Sequence, residues 1–366
     1  MYVSSVILKD YRNYENIDVE LSSGINILYG ANAQGKTNFI EALYFAATGR
    51  SHRTNFDKEL IRFDRYIAGI RVYVEKGNII DRIDVNVKKE GVKAIAVNGI
   101  AVKKLSELFG SLYSVIFSPE DLLLVNDGPS ARRRFIDMEI CQLNPVYYHE
   151  LGQYYKILRQ RNSLLKDIIR KRDVALKDTL CIWDEQLVAH GVRIIEYRRS
   201  FVKKIGKLAG DIHKKITDNI EELSVTYKNN VEPAEFMARL GKNRERDIAL
   251  GTTSVGIHKD DLVFMLNDID ARIYGSQGQR RCVSLSLKLA EIELIKEEAG
   301  KNPILLLDDV LSELDSKRQK SLIESIGGIQ TIVTCTGIDV LKPDYFGNNA
   351  IVKIYNVENG RIIPQK

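Results

Sequence analysis

Cysteine is scarce and scattered. Cys141, Cys181, Cys282 and Cys335 are the four in 366 residues, and no two form a C-x-x-C pair. That pattern argues against a disulfide framework and a cysteine-built zinc site, and it suits a reducing compartment. His258 has no second histidine or cysteine at ligand spacing, so no metal role is expected of it. No apolar run approaches the ~20 residues of a membrane-spanning helix. Met1-Tyr2-Val3 leads straight into a strand-like segment, without the charged and apolar regions of a secretory signal. A cytoplasmic chain with no membrane association is therefore expected. Charge of one sign is not extreme either: a net +5 permits nucleic-acid binding without requiring it. Hydrophobic content of 44% beside 28% charged residues places the chain among globular proteins.

One stretch carries chemistry on its own. Gly30-Ala31-Asn32-Ala33-Gln34-Gly35-Lys36-Thr37 fits G-x-x-x-x-G-K-[ST], the phosphate-binding P-loop. The glycines let backbone N–H groups curl round an anion. Lys36 reaches the β- and γ-phosphates of a nucleotide, and Thr37 offers a hydroxyl to Mg²⁺. The context agrees. Residues 25–29 read as a buried strand running in, and Asn38 to Ala46 as a helix running out, its N-terminus aimed at the phosphates.

Around this loop the pattern is mixed α/β. Residues 3–29 read as strands, with Ile17, Val19 and Leu21 alternating with Asp18 and Glu20. Gly49 to Thr54 is a polar, basic loop in which Arg50 and Arg53 are candidates for phosphate or DNA contact. Strand signals over 66–100, punctuated by Gly77-Asn78, Glu90-Gly91 and Asn98-Gly99, predict an antiparallel meander. A buried strand over 112–117 follows. Ser118 then stands as the cap of a helix that Pro119 opens.

From about Gly128 the composition shifts to helix. Two runs, roughly 130–172 and 178–217, carry apolar residues at sevenfold spacing. Leu151, Leu158 and Leu165 mark the first; Leu187, Ile194, Phe201 and Leu208 mark the second. They predict an antiparallel helical pair, each arm ~60 Å long. Gly191 and Arg198 fall in seam positions and predict imperfect packing. The segment is also the most basic. Arg132, Arg133, Arg134, Lys203 and Lys204 are its candidates for nucleic-acid contact, although solvated helix faces account for many such runs.

Two constellations in the last third complete the picture. Ile304 to Asp309 is an apolar strand ending in two acids, the Walker B pattern. Asp308 is placed to hold Mg²⁺, and Asp309 to act as base or water-orienting group. Gly275-Ser276-Gln277-Gly278-Gln279, before a helix expected to be amphipathic over 282–299, is a second anion-binding turn. About thirty residues ahead of a Walker B strand, it resembles the signature of ATP-binding-cassette ATPases. Ser312 and Asp315 follow where those proteins carry their D-loop.

Taken together, these landmarks resemble the RecF family, bacterial DNA-repair ATPases related to the SMC and Rad50 proteins. The motifs are Leu8 to Tyr14, the P-loop, Gly49-Arg50-Ser51, Phe117 to Leu122, Gly128 to Phe135, Gly256 to Leu262, Gly275 to Arg281 and Leu306 to Asp315. The resemblance implies an ATP-binding-cassette head of mixed sheet with flanking antiparallel strands, built from 1–127 and 251–366. Into it an antiparallel helical arm, 128–250, is inserted. It implies an ATP-dependent homodimer in which Lys36 of one copy faces Ser276 of the other across ATP and Mg²⁺. It also implies binding to double-stranded and gapped DNA, and work with RecO and RecR to load the RecA recombinase at single-strand gaps.

Departures from the cassette pattern shape the expectation. The signature has Gly275 in place of the usual leucine and Gln277 in place of the first of its two glycines. Asp309 stands in place of glutamate, which suits slow hydrolysis; the resemblance implies that DNA stimulates it. The switch histidine is replaced within Val333 to Thr336, with Thr336 assigned as sensor. Glu120 stands near the Q-loop glutamine of relatives. Three rivals remain at this point: an SMC-like tethering protein, against which the short arm argues; a transporter subunit, against which the missing switch histidine and the basic insert argue; and a nucleotide-switched binding module with negligible turnover.

Overall fold

The computed structural model describes residues 1–171, 175–325, 327–337 and 351–365. The chain divides into two compact units, Met1–Leu123 with Ser284–Lys366, and Leu124–Val283.

The first unit opens with β1 (Tyr2–Tyr11), β2 (Tyr14–Glu20) and β3 (Ile25–Tyr29), then helix α1 (Lys36–Thr48). The meander follows as β4 (Ile67–Lys76), β5 (Ile79–Lys88), β6 (Lys93–Val97) and β7 (Ile100–Ala101), and then comes β8 (Ser114–Phe117). These strands enter two sheets. One is antiparallel, in the order β2-β1-β4-β5-β6-β7. Its alternation is legible in β4, where Ala68, Ile70, Val72 and Val74 turn inward. No helix starts at Pro119. Asp121 accepts hydrogen bonds from both the N–H and the hydroxyl of Ser118, so the residue expected to cap is instead the donor. A short 3-10 turn, Asp121–Leu123, takes the helix's place.

The second unit begins with α2 (Pro129–Leu143) and α3 (Pro145–Lys171), continues through α4 (Ala175–Asp178) and α5 (Leu180–Ile216), and reaches β9 (Leu223–Lys228). It ends with α6 (Phe236–Leu250), β10 (Asp261–Leu266), β11 (Ile269–Asp270), α7 (Ala271–Tyr274) and the first residues of α8 (Gln277–Ala299). The first expected helical run is broken at Asn144, where Pro145 restarts the chain, and its last residue, Arg172, lies outside the described residues. The arms are correspondingly shorter than ~60 Å. With 27 residues in α3 and 37 in α5, they reach about 40 and 55 Å. They run antiparallel: Glu150 meets His190 and Arg193, Arg161 meets Asp184, and Leu165 and Ile168 pack with Leu180.

The two awkward seam residues prove to be built in. A Cβ on Gly191 would lie 2.5 Å from Phe236, so glycine is what lets α6 approach. Arg198 is fully buried, donating to Asp137, to Asp260 and to the carbonyl of Ile257. A buried guanidinium with this many acceptors is a satisfied charge rather than a packing fault. Arg161 makes a second such node with Asp184 and Asp247.

The second unit also holds a sheet, whose strands near 224–227 and 262–266 are readable in the sequence but whose pairing is not. β10 pairs along its whole length with β9 and carries β11 on its other edge, giving the order β11-β10-β9. This ladder ties 261–270 to the helical unit. The division expected after residue 250 therefore moves to Val283, and the turn Gly275 to Gln279 belongs to the second unit.

The first unit resumes with the rest of α8, then β12 (Ile304–Asp308), α9 (Ser316–Ser325), β13 (Thr331–Cys335), β14 (Val352–Glu358) and β15 (Arg361–Pro364). α8 is buried on nearly all sides from Cys282 to Glu291 rather than amphipathic, enclosing Ser284, Ser286, Lys288 and Glu291. The second sheet has the order β15-β14-β3-β13-β12-β8 and is parallel throughout except for β15. All five residues of β12 are buried, as are all five of β13. Central parallel strands covered on both faces read as continuous apolar runs, which is why β12 was legible. Among the described residues no helix is long and apolar enough to cross a membrane.

Candidate functional site

β3 and β12 lie either side of β13, so the loops leaving their C-terminal ends are neighbours. In open parallel sheets this is where ligands bind. The loop after β3 is the P-loop. Gly35 has φ of 122°, and a Cβ there would fall 2.7 Å from the Asn13 amide and 2.9 Å from the Tyr14 hydroxyl. The β1–β2 turn thus presses directly on the loop. Tyr14 donates to the Gly35 carbonyl at 2.8 Å and Asn13 to that of Gln34 at 2.8 Å. From the other side, the turn after β14 holds Gln34 through the N–H groups of Asn359 and Gly360. With its carbonyls engaged in this way the loop is braced in shape. The N–H groups at the start of α1 give it anion-binding character.

Lys36 is buried, its ammonium donating to the carbonyls of Gly30 and Ala31 at 2.8 and 3.0 Å. Ala31, Asn32 and Ala33 are exposed along the loop. Thr37 donates to Asp308 at 2.9 Å, which joins the P-loop to the end of β12. Asp308 also accepts from Thr334 at 2.9 Å, as the parallel register of β12 with β13 dictates. Burial pushes the Asp308 carboxyl above its ordinary pKa, against the pull of the two hydroxyl donors; the Asp309 charge adds to the rise. A hydroxyl beside a buried carboxylate is an all-oxygen donor set, which fits Mg²⁺.

The hydroxyl that reaches Asp308 from β13 belongs to Thr334, not to Thr336. Thr336 lies two residues beyond, past the end of β13, and is exposed. Thr334 also accepts the Asp309 N–H at 2.9 Å, so it holds both acids. Asp309 itself stands in a left-handed conformation, φ 52°, its carbonyl accepting from Ser312 at 2.7 Å. Asp315 is half-exposed and accepts the Arg318 N–H. Glu120 is exposed in the loop leaving β8, the strand beside β12.

A further group lies behind the loop. Glu41 on α1 is fully buried and takes a bidentate pair of bonds from Arg12, at 2.7 and 2.8 Å, and a third from Ser51. Arg53 stands 3.6 Å away and donates to Asn38, which in turn donates to Asn13. Burial alone would raise the Glu41 carboxyl. The hydrogen bonds from Arg12 and Ser51, with the positive charges of Arg12 and Arg53, outweigh it and hold the pKa below its ordinary value. A depressed carboxylate adds stability above its unfolded pKa of about 4.3, and that stability is lost as pH falls through the folded value. Glu41→Gln should therefore cost about 2 kcal/mol near neutral pH, and the gap to wild type should close as pH falls below about 4. Urea denaturation at several pH values measures it. Arg12 and Asn13 lie within the Leu8 to Tyr14 motif and Thr334 within Val333 to Thr336. Their contacts, and Glu41 altogether, escaped the sequence reading because local sequence does not show which residue acts on a loop brought to it by folding.

The turn Gly275 to Gln279 is a capping box at the start of α8. Ser276 Oγ accepts the Gln279 N–H at 3.2 Å, and Gln279 Oε1 accepts the Ser276 N–H at 2.7 Å. Ser276 and Gln277 are exposed, Gly275 and Gly278 half-buried. The basic candidates separate. Arg50, Arg134, Lys203 and Lys204 are exposed, and Arg53 is partly so. Arg132 is not available to a phosphate: it is 1% exposed, in a bidentate pair with Asp261, and donates to the Asp127 carbonyl. Arg133 is half-buried and donates to the carbonyl of Asp260. The run of three arginines looked like a basic patch, but the helix turns its members to different faces. His258 is likewise structural. Burial lowers its pKa to about 4, so near neutral pH it donates from Nε2 to the Thr253 carbonyl and accepts from Tyr154 at Nδ1.

Comparison with known proteins identifies the chain's relatives. The model of the RecF/RecN/SMC N terminal domain matches residues 2–362. The chain is 50% identical over 364 residues to the DNA replication and repair protein RecF of Lachnoclostridium phytofermentans, covering 99% of each. It is 46% identical over 367 residues to that of Clostridium botulinum, again covering 99% of each. Among solved structures, the recombination mediator protein RecF-ATP in the RecFOR pathway is similar with a TM-score of 0.91 at 34% identity, over 100% of this chain and 98% of that one. The Smc head domain of Pyrococcus furiosus, solved with an extended coiled coil, has a TM-score of 0.55 at 17% identity, which is a likeness of fold.

Proposed function

The chain belongs to the RecF family, and from that premise we propose that it is an ATP-gated DNA clamp of recombinational repair. Two copies close on two ATP molecules, hold double-stranded or gapped DNA through phosphate contacts, and open on hydrolysis. The observation that carries the nucleotide half of this reading is the chain of hydrogen bonds from Thr37 through Asp308 to Thr334 and on to the Asp309 N–H. It brings Walker A and Walker B side chains, 271 residues apart, to one point.

The residues divide the work. Backbone N–H groups from Gly30 to Asn38 and the Lys36 ammonium bind the phosphates. Thr37 and Asp308 would hold Mg²⁺, which when bound supplies charge neutralisation at the phosphates. Asp309 orients and deprotonates the attacking water, and Thr334 keeps it in place through its backbone. Ser276 of the second copy donates to the γ-phosphate and so makes closure depend on ATP. Arg50, Arg53, Arg134, Lys203 and Lys204 are the DNA contacts in this scheme. RecO and RecR are the partners with which the clamp loads RecA in the cytoplasm; support for this comes from the RecFOR pathway named for the solved relative.

Asp309→Asn tests the catalytic assignment. An amide cannot take the proton, so ATP turnover should fall by about 10²-fold or more while ATP binding stays within a few-fold. Single-turnover hydrolysis and nucleotide titration read the two separately. Equal turnover in both proteins would remove Asp309 from the mechanism.

A further inference from the structure

The capping box at Ser276 does not stand alone. Gln279 has two polar ends, and each meets a group that admits only one orientation. The Ser276 N–H is a donor, so it takes Oε1 at 2.7 Å; the Glu221 carboxylate is an acceptor, so it takes Nε2 at 2.9 Å. Glu221 is itself anchored. Its side chain is 17% exposed, and its second oxygen lies 3.1 Å from Nε2 of fully buried His213 in the last turn of α5. The turn carrying Glu221 is fixed further where Glu222 and Asn267 exchange bonds, the N–H of each meeting the carbonyl or amide oxygen of the other.

The consequence falls on Ser276. Because its Oγ accepts the Gln279 N–H, its hydroxyl proton is left to donate outward. That is the proton an incoming phosphate oxygen requires. The box holds this arrangement only while Gln279 keeps its rotamer, and a half-buried glutamine has several. Glu221 selects one.

We propose that Glu221 is a positioning residue for the signature turn: by holding the Gln279 amide it presents the Ser276 hydroxyl proton to the ATP bound by a second copy. The proposal rests on the reading that this turn works on the partner's nucleotide. Glu221 touches neither ATP nor the reacting atoms, so the expected effect is on assembly and not on nucleotide affinity.

The test uses the full chain with a non-hydrolysable ATP analogue and Mg²⁺. Sedimentation equilibrium gives the dimer dissociation constant, and titration at high dilution gives the monomer's ATP affinity. Glu221→Ala should raise the dimer constant at least tenfold and leave monomer affinity within twofold. Glu221→Asp keeps the charge but falls short of Gln279, and should behave like the alanine variant. Glu221→Gln still accepts from Nε2 and should stay within threefold of wild type. Should the alanine variant fail to fold, the aspartate and glutamine pair decides the question. Wild-type dimerisation in Glu221→Asp, or equal loss in Glu221→Asp and Glu221→Gln, overturns the proposal. A parallel Ser276→Arg sample separates the two ideas. If it dimerises, the trans reading itself fails; if it does not while Glu221→Asp does, only the role of Glu221 fails.

Discussion

Lys36→Met is expected to abolish ATP binding, raising the dissociation constant by at least about 100-fold. Lys36 is 4% exposed and sits at the first position of α1, inside the curve of its own loop. Its ammonium already spans to the Gly30 and Ala31 carbonyls, so it is held where phosphates arrive. Charge-assisted hydrogen bonds contribute about 1.5–3 kcal/mol each, and an ammonium between two phosphates makes more than one. Methionine has nearly the same length and no charge, so the fold should survive while those bonds vanish. Titration with a fluorescent ATP analogue measures the loss, and thermal melting without nucleotide checks the fold. Binding within threefold of wild type would place the phosphates elsewhere.

Ser276→Arg is expected to remove the ATP-dependent dimer and leave monomer ATP binding within about twofold. Ser276 is exposed and lies in the second compact unit, while every residue of the P-loop lies in the first. A long, charged side chain here fills the space that the proposed sandwich gives to the partner's γ-phosphate. It also removes a helix cap, a loss of about 1 kcal/mol, which the buried body of α8 can absorb. Light scattering with ATP and Mg²⁺ should report a monomer at concentrations where wild type is dimeric. An intact dimer would rule out the sandwich arrangement for this chain.

The legible parts of the molecule are those whose signal is local. Gly30 to Thr37 spells its own loop, and Ile304 to Asp308 is apolar because it is covered on both faces. The helical seams of α3 and α5 are legible for the same reason, since Leu158, Leu165, Leu187 and Ile194 repeat where they are buried. What escaped was decided by partners distant in sequence. β9 and β10 have ordinary strand composition, but only their pairing shows that residues up to Val283 belong with the helices. Arg132 and Arg198 read as surface charge and as a packing fault. Each is buried because an acid from another element, Asp261 in one case and Asp137 with Asp260 in the other, comes to meet it. Alternation alone would favour Thr334 and Thr336 equally, but β13 ends at Cys335 and its register against β12 pairs Asp308 with Thr334. The P-loop is the sharpest instance. Its own residues specify an anion cradle, while Tyr14, Asn13 and Asn359 fix the cradle's shape through contacts that only folding makes.

The central claim is that ATP gates a grip on the DNA backbone. Its most direct test is the affinity of the wild-type chain for duplex DNA, with and without ATP, across a salt series. A clamp closed by ATP through phosphate contacts predicts weak binding without nucleotide. With ATP it predicts much tighter binding whose log–log salt slope is about −0.9 for each phosphate neutralised, so clearly negative over several contacts. Binding that is equally tight without ATP, or a slope near zero in its presence, would contradict the account.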